Sequence, residues 1–193
     1  MSDSGQPTMM NCAMNTGIVV GVYYIVKFCF FPLSLHSTMA ALLFLGLTLV
    51  VPFLIYRLVR QYRERYCGGA IAFSRAFAFS MLIMFFGSLL SAVAHYGYFA
   101  FIDNGAMVGA LVQSVEQLQG VDFSTIEGAS ADAVAQYNQY VEMMELTTKQ
   151  IQAMSPIDIT IGMLSNNVSW SVVLSLPIAL IVSSRKLKKN HNS

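Results

Sequence analysis

The sequence predicts an all-α membrane protein with four transmembrane helices and an extracytoplasmic helical segment between the third and the fourth. Of the 193 residues, 55% are hydrophobic and 11% are charged. A soluble domain carries about 25% charged residues, so this chain has too few charges to cover a water-facing surface. Eight of the ten acidic residues lie between 103 and 158, whereas ten of the eleven basic residues lie outside that range. Such segregation indicates two compartments.

Four apolar runs have the length that a helix needs to cross a bilayer, which is about 20 residues. In chain order, the predicted spans are 13–33, 38–56, 71–102 and 159–183. Pro52 and Pro177 each remove a backbone donor, so we expect a bend in the second and fourth spans. The alternative, a soluble helical bundle, would need amphipathic faces and more charge. We therefore treat residues 1–193 as a single four-span domain into which 103–158 is inserted.

Basic residues near the span ends predict the orientation. They occupy the loop after span two and the C-terminal tail, at Arg57, Arg60, Arg63, Arg65, Arg185, Lys186, Lys188 and Lys189. Loops rich in Lys and Arg face the cytoplasm. Two spans separate the two clusters, so both termini are predicted to be cytoplasmic and 103–158 external.

A pair of glycines follows the arginine cluster, in the stretch "RQYRERYCGGAIAFSRAF". A phosphate-binding loop would lie between a strand and a helix and would be followed by Lys–Ser/Thr. Here a membrane helix lies on each side, so Gly68 and Gly69 are expected to end a helical extension of span two. Arg75 is expected at the interface rather than buried. A minor alternative is that the cluster binds anionic lipid headgroups.

The external segment carries two predicted helices. The first is indicated by apolar residues at helical spacing, at Val108, Leu111, Val112, Val115 and Leu118. The second is expected over 130–154, ended by Pro156, with a stripe formed by Tyr137, Tyr140, Met144, Thr147, Ile151 and Met154. Residues 124–127, "STIE", match a capping box. The stripe is expected either to pack on neighbouring helices or to bind a partner or a second copy.

Polar residues inside the spans are the candidate functional residues, since such residues are expensive in lipid. Lys27 is expected either to extend to the outer interface or to pair with Asp103 or Asp158. His95 is expected to pack between helices, with a metal or proton site shared with His36 and a carboxylate as the alternative.

Small residues at helical spacing suggest close helix packing in two of the spans. Gly17 and Gly21 form a GxxxG in span one, and Ser80, Gly87, Ser88 and Ser91 lie in span three. Span four is the most polar of the four. Its Asn166 and Asn167 are expected to face protein or water rather than lipid.

Catalytic templates such as HExxH, GxSxG and the phosphate-binding loop do not occur in the sequence. We therefore predict no catalytic, cofactor-binding or metal-binding residues and no enzymatic activity. The net charge of +1 does not suggest a nucleic-acid partner. The expected partners are the lipid bilayer and a membrane protein or second copy bound through 103–158. The predicted function is a structural, accessory or interaction role. The alternative is an oligomeric transporter of a small solute or ion, with its path near Lys27, His95, Asn166 and Asn167.

One part of the chain also carries a family pattern. It consists of a basic "YR" stretch, a glycine pair, spaced apolar and basic residues and an apolar helix ending in "FID", at Tyr62, Arg63, Gly68, Gly69, Ile71, Phe73, Arg75, Phe101, Ile102 and Asp103. This pattern resembles the bacterial domain-of-unknown-function family numbered four-one-nine-nine. The resemblance implies an inner-membrane protein of bacteria without an assigned activity. Asn104 departs from it, because the family pattern has proline there, so the shape of the turn after span three stays open.

Overall fold

The computed structural model describes residues 8–35, 37–121, 123 and 130–183. Six α-helices make up its regular structure: α1 (Met9–Ser34), α2 (Thr38–Tyr66), α3 (Phe73–Phe101), α4 (Ala106–Gln119), α5 (Ala131–Gln152) and α6 (Pro156–Val182). Four of them, α1, α2, α3 and α6, are long and apolar enough to cross a membrane. The predicted all-α class with four spans is therefore confirmed, and the chain is a multi-pass membrane protein.

The helices extend beyond the predicted spans. The arginines that the sequence assigned to a loop, Arg57 to Arg65, lie on α2, because that helix continues to Tyr66. The helical hydrogen bonding also continues past Pro52 and Pro177, which lie inside α2 and α6. A long helix is favoured here because each backbone donor and acceptor within lipid must be satisfied inside the segment.

The chain divides into two compact units. The first contains the chain up to His95 together with that from Ile161, and the second runs from Tyr96 to Thr160. The core of the first unit is apolar and includes residues from α1, α2, α3 and α6, among them Val20, Ile55, Val59, Phe79, Ile83 and Ala179. Tyr62 stacks on Phe79 in this core, with ring centroids 3.8 Å apart.

Glycines allow α1 and α3 to approach closely. A Cβ added to Gly17 would lie 2.6 Å from Phe86 Cβ, and one added to Gly87 would lie 2.7 Å from Val20 Cγ1. A Cβ on Gly21 would lie 2.8 Å from Leu90 Cβ. The GxxxG of span one is thus a packing motif, as small residues at helix interfaces in membranes generally are.

The serines of α3 support the same packing. Ser80, Ser88 and Ser91 are fully buried. The Ser80 hydroxyl donates to the Phe77 carbonyl and the Ser91 hydroxyl to the Ser88 carbonyl. The prediction that span three packs through its small residues is therefore confirmed.

The C-terminal ends of α2 and α6 meet at the arginine-rich end of the first unit. Arg63 Nη1 donates to the Val182 carbonyl over 3.0 Å. Val182 is the last residue of α6, so no amide of that helix donates a hydrogen bond to its carbonyl. The positive charge of Arg63 at this end also interacts favourably with the helix dipole. The residues after Val182 that carry the basic tail lie outside the described part of the chain.

Gly68 and Gly69 end α2 as predicted. Their φ angles are +59° and +81°, a region that suits glycine. The Gly69 amide donates to the Arg63 carbonyl, as does that of Cys67. Arg75 is exposed at the start of α3, which confirms that it need not be buried.

In the second unit, α4 and α5 pack against each other, but the predicted stripe on α5 is partly wrong. Tyr137, Met144 and Ile151 are at least half-buried, whereas Tyr140, Thr147 and Met154 are exposed. The packed face follows the i, i+4, i+7 rows through Val141 and Thr148, both of which the prediction omitted. The predicted stripe alternates steps of three and four residues, so it contains two rows of side chains along the helix. The sequence does not show which of the two rows packs against α4.

Side-chain caps set the limits of the helices in the second unit. Ser130 accepts a hydrogen bond from the Ala133 amide as the N-cap of α5. The helix begins at Ala131, one residue after the predicted start. Pro156 begins α6 rather than ending α5, since proline suits the first helical position and α5 has already ended at Gln152. The predicted capping box at 124–127 lies outside the described residues.

Candidate functional site

Lys27 is held among aromatic rings. Its Nζ lies 5.3 Å from the ring centroid of Tyr24 and 5.5 Å from that of Phe44. These are cation–π distances, and such contacts strengthen when water is excluded. The three ion pairs found among the described residues do not include Lys27.

The two carboxylates named as candidate partners of Lys27 act as helix caps. Asp103 Oδ1 accepts a hydrogen bond from the Met107 amide over 3.1 Å, in the first turn of α4. Asp158 Oδ2 accepts hydrogen bonds from the amide and the hydroxyl of Ser155 at the start of α6. Carboxylates at helix N-termini satisfy free amides and interact favourably with the dipole.

His95 is buried on α3 and packs on α1. Only 4% of its surface is exposed, and its ring lies 4.2 Å from that of Phe28. Its Nδ1 atom makes no hydrogen bond within the described chain. Phe28 directly follows Lys27 in α1. The structure therefore brings Lys27 and His95 into one neighbourhood.

The metal alternative for His95 finds no support in the part of the chain that the structure describes. No cluster of three or more His, Cys, Asp or Glu side chains suited to a metal ion occurs there. His36, the second histidine of that hypothesis, lies outside the described residues.

Among the described residues, Asn166 and Asn167 form no hydrogen bond with Lys27 or His95. Asn166 is exposed on the surface of the first unit, and Asn167 is half-buried. Trp170, one turn further along α6, is 54% exposed. The carboxamide of Asn166 is therefore not covered by its own unit, although it lies within a candidate span. The main pockets along the described chain are lined by other residues.

The contact between α4 and α5 combines ring stacking with polar bonds. Tyr137 stacks on Phe123 at 4.7 Å and donates its hydroxyl hydrogen to the Leu118 carbonyl. Gln119 Nε2 donates to Glu145 Oε2 over 3.0 Å. Glu145 also accepts from Lys149 over 2.6 Å, and this hydrogen bond holds the pKa of the Glu145 carboxyl below its ordinary value. One face of α5 is thus occupied.

The opposite face of α5 carries uncovered apolar side chains. Tyr140 is 47% exposed, Met143 56% and Leu146 55%. Their spacing of three residues places them side by side along the helix. We call Tyr140, Met143 and Leu146 the outer apolar face. The sequence stripe included only Tyr140 of these. The signal that could have found Met143 and Leu146 is their apolar character at three-residue steps from Tyr140.

The comparisons with known proteins identify a family and no characterised relative. The family model described as "Protein of unknown function (DUF4199)" matches residues 15–184. The searches of curated proteins and of solved structures gave no match. The matched range contains nearly all of the four apolar helices and both helices of the second unit.

Proposed function

The chain belongs to the DUF4199 family of proteins of unknown function, and we propose that it is an accessory protein of the bacterial inner membrane that acts by binding another protein. The outer apolar face of α5 carries this proposal. Three neighbouring apolar side chains there are about half exposed, while α5 already uses its other face against α4. Contiguous exposed apolar surface marks interaction sites, and aromatic and Met side chains are enriched in interfaces.

A membrane-protein partner is supported by Asn166. An exposed carboxamide in a span is unfavourable in lipid, and a polar group on a neighbouring helix would satisfy it. Asn carries both a donor and an acceptor, so it can pair with a helix of another protein or with Asn166 of a second copy.

We propose that both chain termini are cytoplasmic and that the second unit is external. The contact between Arg63 and Val182 supports a shared side for the ends of α2 and α6, and the basic residues near both ends favour the cytoplasm for that side. A reporter fused after Ser193 is expected to behave as cytoplasmic, and one inserted near Gly128 as external. The reverse pair of results would invert the topology.

Photo-crosslinking tests the interaction. A photoreactive amino acid at Met143 in native membranes is expected to give one discrete adduct. The same amino acid at Asn138, which is exposed but lies about 140° around α5 from Met143, is the matched control and is expected to give little adduct. Leu146→Gln should lower the yield at Met143 about fivefold, because truncating an important interface side chain costs more than about 1 kcal/mol.

The mass of the adduct distinguishes the two classes of partner. Twice the mass of the chain indicates a second copy, and any other discrete mass indicates a different protein. Equal yields at Met143 and Asn138, or no discrete adduct at either position, would contradict the proposed role of this face.

A further inference from the structure

An open pocket of about 440 Å³ lies along one face of α2, near the arginine-rich end of the first unit. It is lined by Phe53, Tyr56, Arg57, Arg60, Gln61 and Glu64. Steps of three and four residues place these side chains on one stripe of the helix. The volume falls in the usual range for sites that bind small molecules or headgroups.

The arginines of α2 differ in their ion-pair and hydrogen-bond partners. Arg60 Nε lies 2.8 Å from Glu64 Oε1. Arg63 donates to the Val182 carbonyl and lies 3.6 Å from Glu64. Arg57 is exposed and forms none of the ion pairs or hydrogen bonds identified in the described chain. Because Glu64 compensates one of the two lining arginines, the pocket keeps a net positive charge that Arg57 presents to the surroundings.

The same stripe changes from polar to apolar along the helix. Phe53 lies one turn from Arg57, toward the apolar part of α2, and is 73% exposed. Tyr56 lies between them in sequence. Aromatic residues next to cations are typical of the boundary between headgroups and acyl chains. The pocket therefore offers a cation and an exposed aromatic ring about 6 Å apart along the helix axis.

We propose that this face of α2 binds an anionic phospholipid. The Arg57 guanidinium contacts the headgroup phosphate through its planar pair of donors. Arg60 adds a second cation beside it, partly neutralised by Glu64. Phe53 contacts the first part of an acyl chain. Free phosphate satisfies the arginines but leaves the exposed ring of Phe53 without a function, so a lipid fits the whole stripe better.

Native mass spectrometry of the full chain in neutral detergent tests the proposal. The probes are short-chain phosphatidylglycerol, short-chain phosphatidylcholine and inorganic phosphate. Phosphatidylglycerol is expected to bind more tightly than either of the others. Arg57→Gln should raise its Kd about fivefold, and the variant should remain folded, since Arg57 forms no described contact that the change would remove.

Arg65→Gln is the matched control. Arg65 is exposed on the same helix but lines a different groove with Asn15 and Tyr66, and its loss changes the net charge equally. This variant should bind phosphatidylglycerol as the wild type does. Phe53→Ala should weaken binding of phosphatidylglycerol and leave that of phosphate unchanged.

Three results would overturn the proposal. Equal weakening by Arg57→Gln and Arg65→Gln would indicate diffuse attraction by the whole cluster. Equal binding of phosphatidylcholine and phosphatidylglycerol would remove the role of the anionic headgroup. Binding of phosphate as tight as that of the lipid, unaffected by Phe53→Ala, would indicate a phosphate site rather than a lipid site.

Discussion

Gly87→Ala is expected to destabilise the four-helix core of the first unit by about 1–3 kcal/mol, the usual effect of forcing extra atoms into a packed interior. The added methyl would lie 2.9 Å from Val20 Cβ and 3.1 Å from the Gly21 amide nitrogen. Neither atom is the end of a flexible side chain, so rotamer changes cannot relieve the contact. Instead α1 and α3 must move apart, and their close contact is lost along several turns.

The reactivity of Cys12 measures this destabilisation. Cys12 is buried in α1 within the same core. In a background with Cys29→Ser and Cys67→Ser, a thiol reagent labels Cys12 when the core opens. For 1–3 kcal/mol, the labelling rate in mild detergent should rise by roughly five- to 150-fold.

Gly46→Ala is the matched control for this prediction. Gly46 is exposed on α2, and a Cβ added there would meet no atom within 4 Å. Alanine is the better helix former by about 1 kcal/mol, so labelling of Cys12 should stay the same or become slower. Similar labelling rates for the Gly87→Ala variant and the wild type would show that the packing of α1 against α3 does not require glycine at position 87.

The spans were predictable because a bilayer imposes a single strong constraint. A helix within lipid must be apolar along about 20 residues, and four runs in this chain meet that condition. The extension of α2 toward Gly68 was predicted from the glycine pair, although "RQYRERY" is polar and its arginines were also assigned to a loop. Its helical form depends on contacts distant in sequence, such as that between Arg63 and Val182.

The candidate site was predictable only in part. The sequence marks Lys27, His95 and Asn166 as unusual, because each is polar within an apolar run. The sequence does not show that Lys27 and His95 share a neighbourhood. It also does not show that Asn166 is exposed on the surface of its unit. That separation depends on how the helices are rotated about their axes, which is determined by packing contacts such as those of Gly17 and Gly87.

Asn104→Pro is expected to have the largest effect in the second unit, because the turn after α3 has a backbone that proline cannot adopt. Asn104 has φ +46° and Gly105 has φ +81°, whereas proline is restricted to about −65°. The family resemblance led us to expect proline at this position, and the observed φ of Asn104 would not accommodate it. Asn tolerates the left-handed region, and its side chain also donates to the Ile102 carbonyl.

The turn positions Asp103 to cap α4, so its loss should open that helix. With proline at 104, the Met107 amide loses the Asp103 carboxylate as its acceptor. Loss of a cap and an incompatible φ together cost about 2 kcal/mol or more. Hydrogen exchange at the Met107 amide should become roughly thirtyfold faster, as measured by mass spectrometry of peptides covering α4.

Asn104→Gly separates the backbone requirement from the side chain. Glycine adopts positive φ without strain, so this variant should keep the turn, and exchange at Met107 should change little. If Asn104→Pro exchanged as slowly as the wild type, the left-handed turn would not be what holds Asp103 against α4. If both variants exchanged faster by the same factor, the hydrogen bond from Asn104 to Ile102, rather than the sign of φ, would hold the turn.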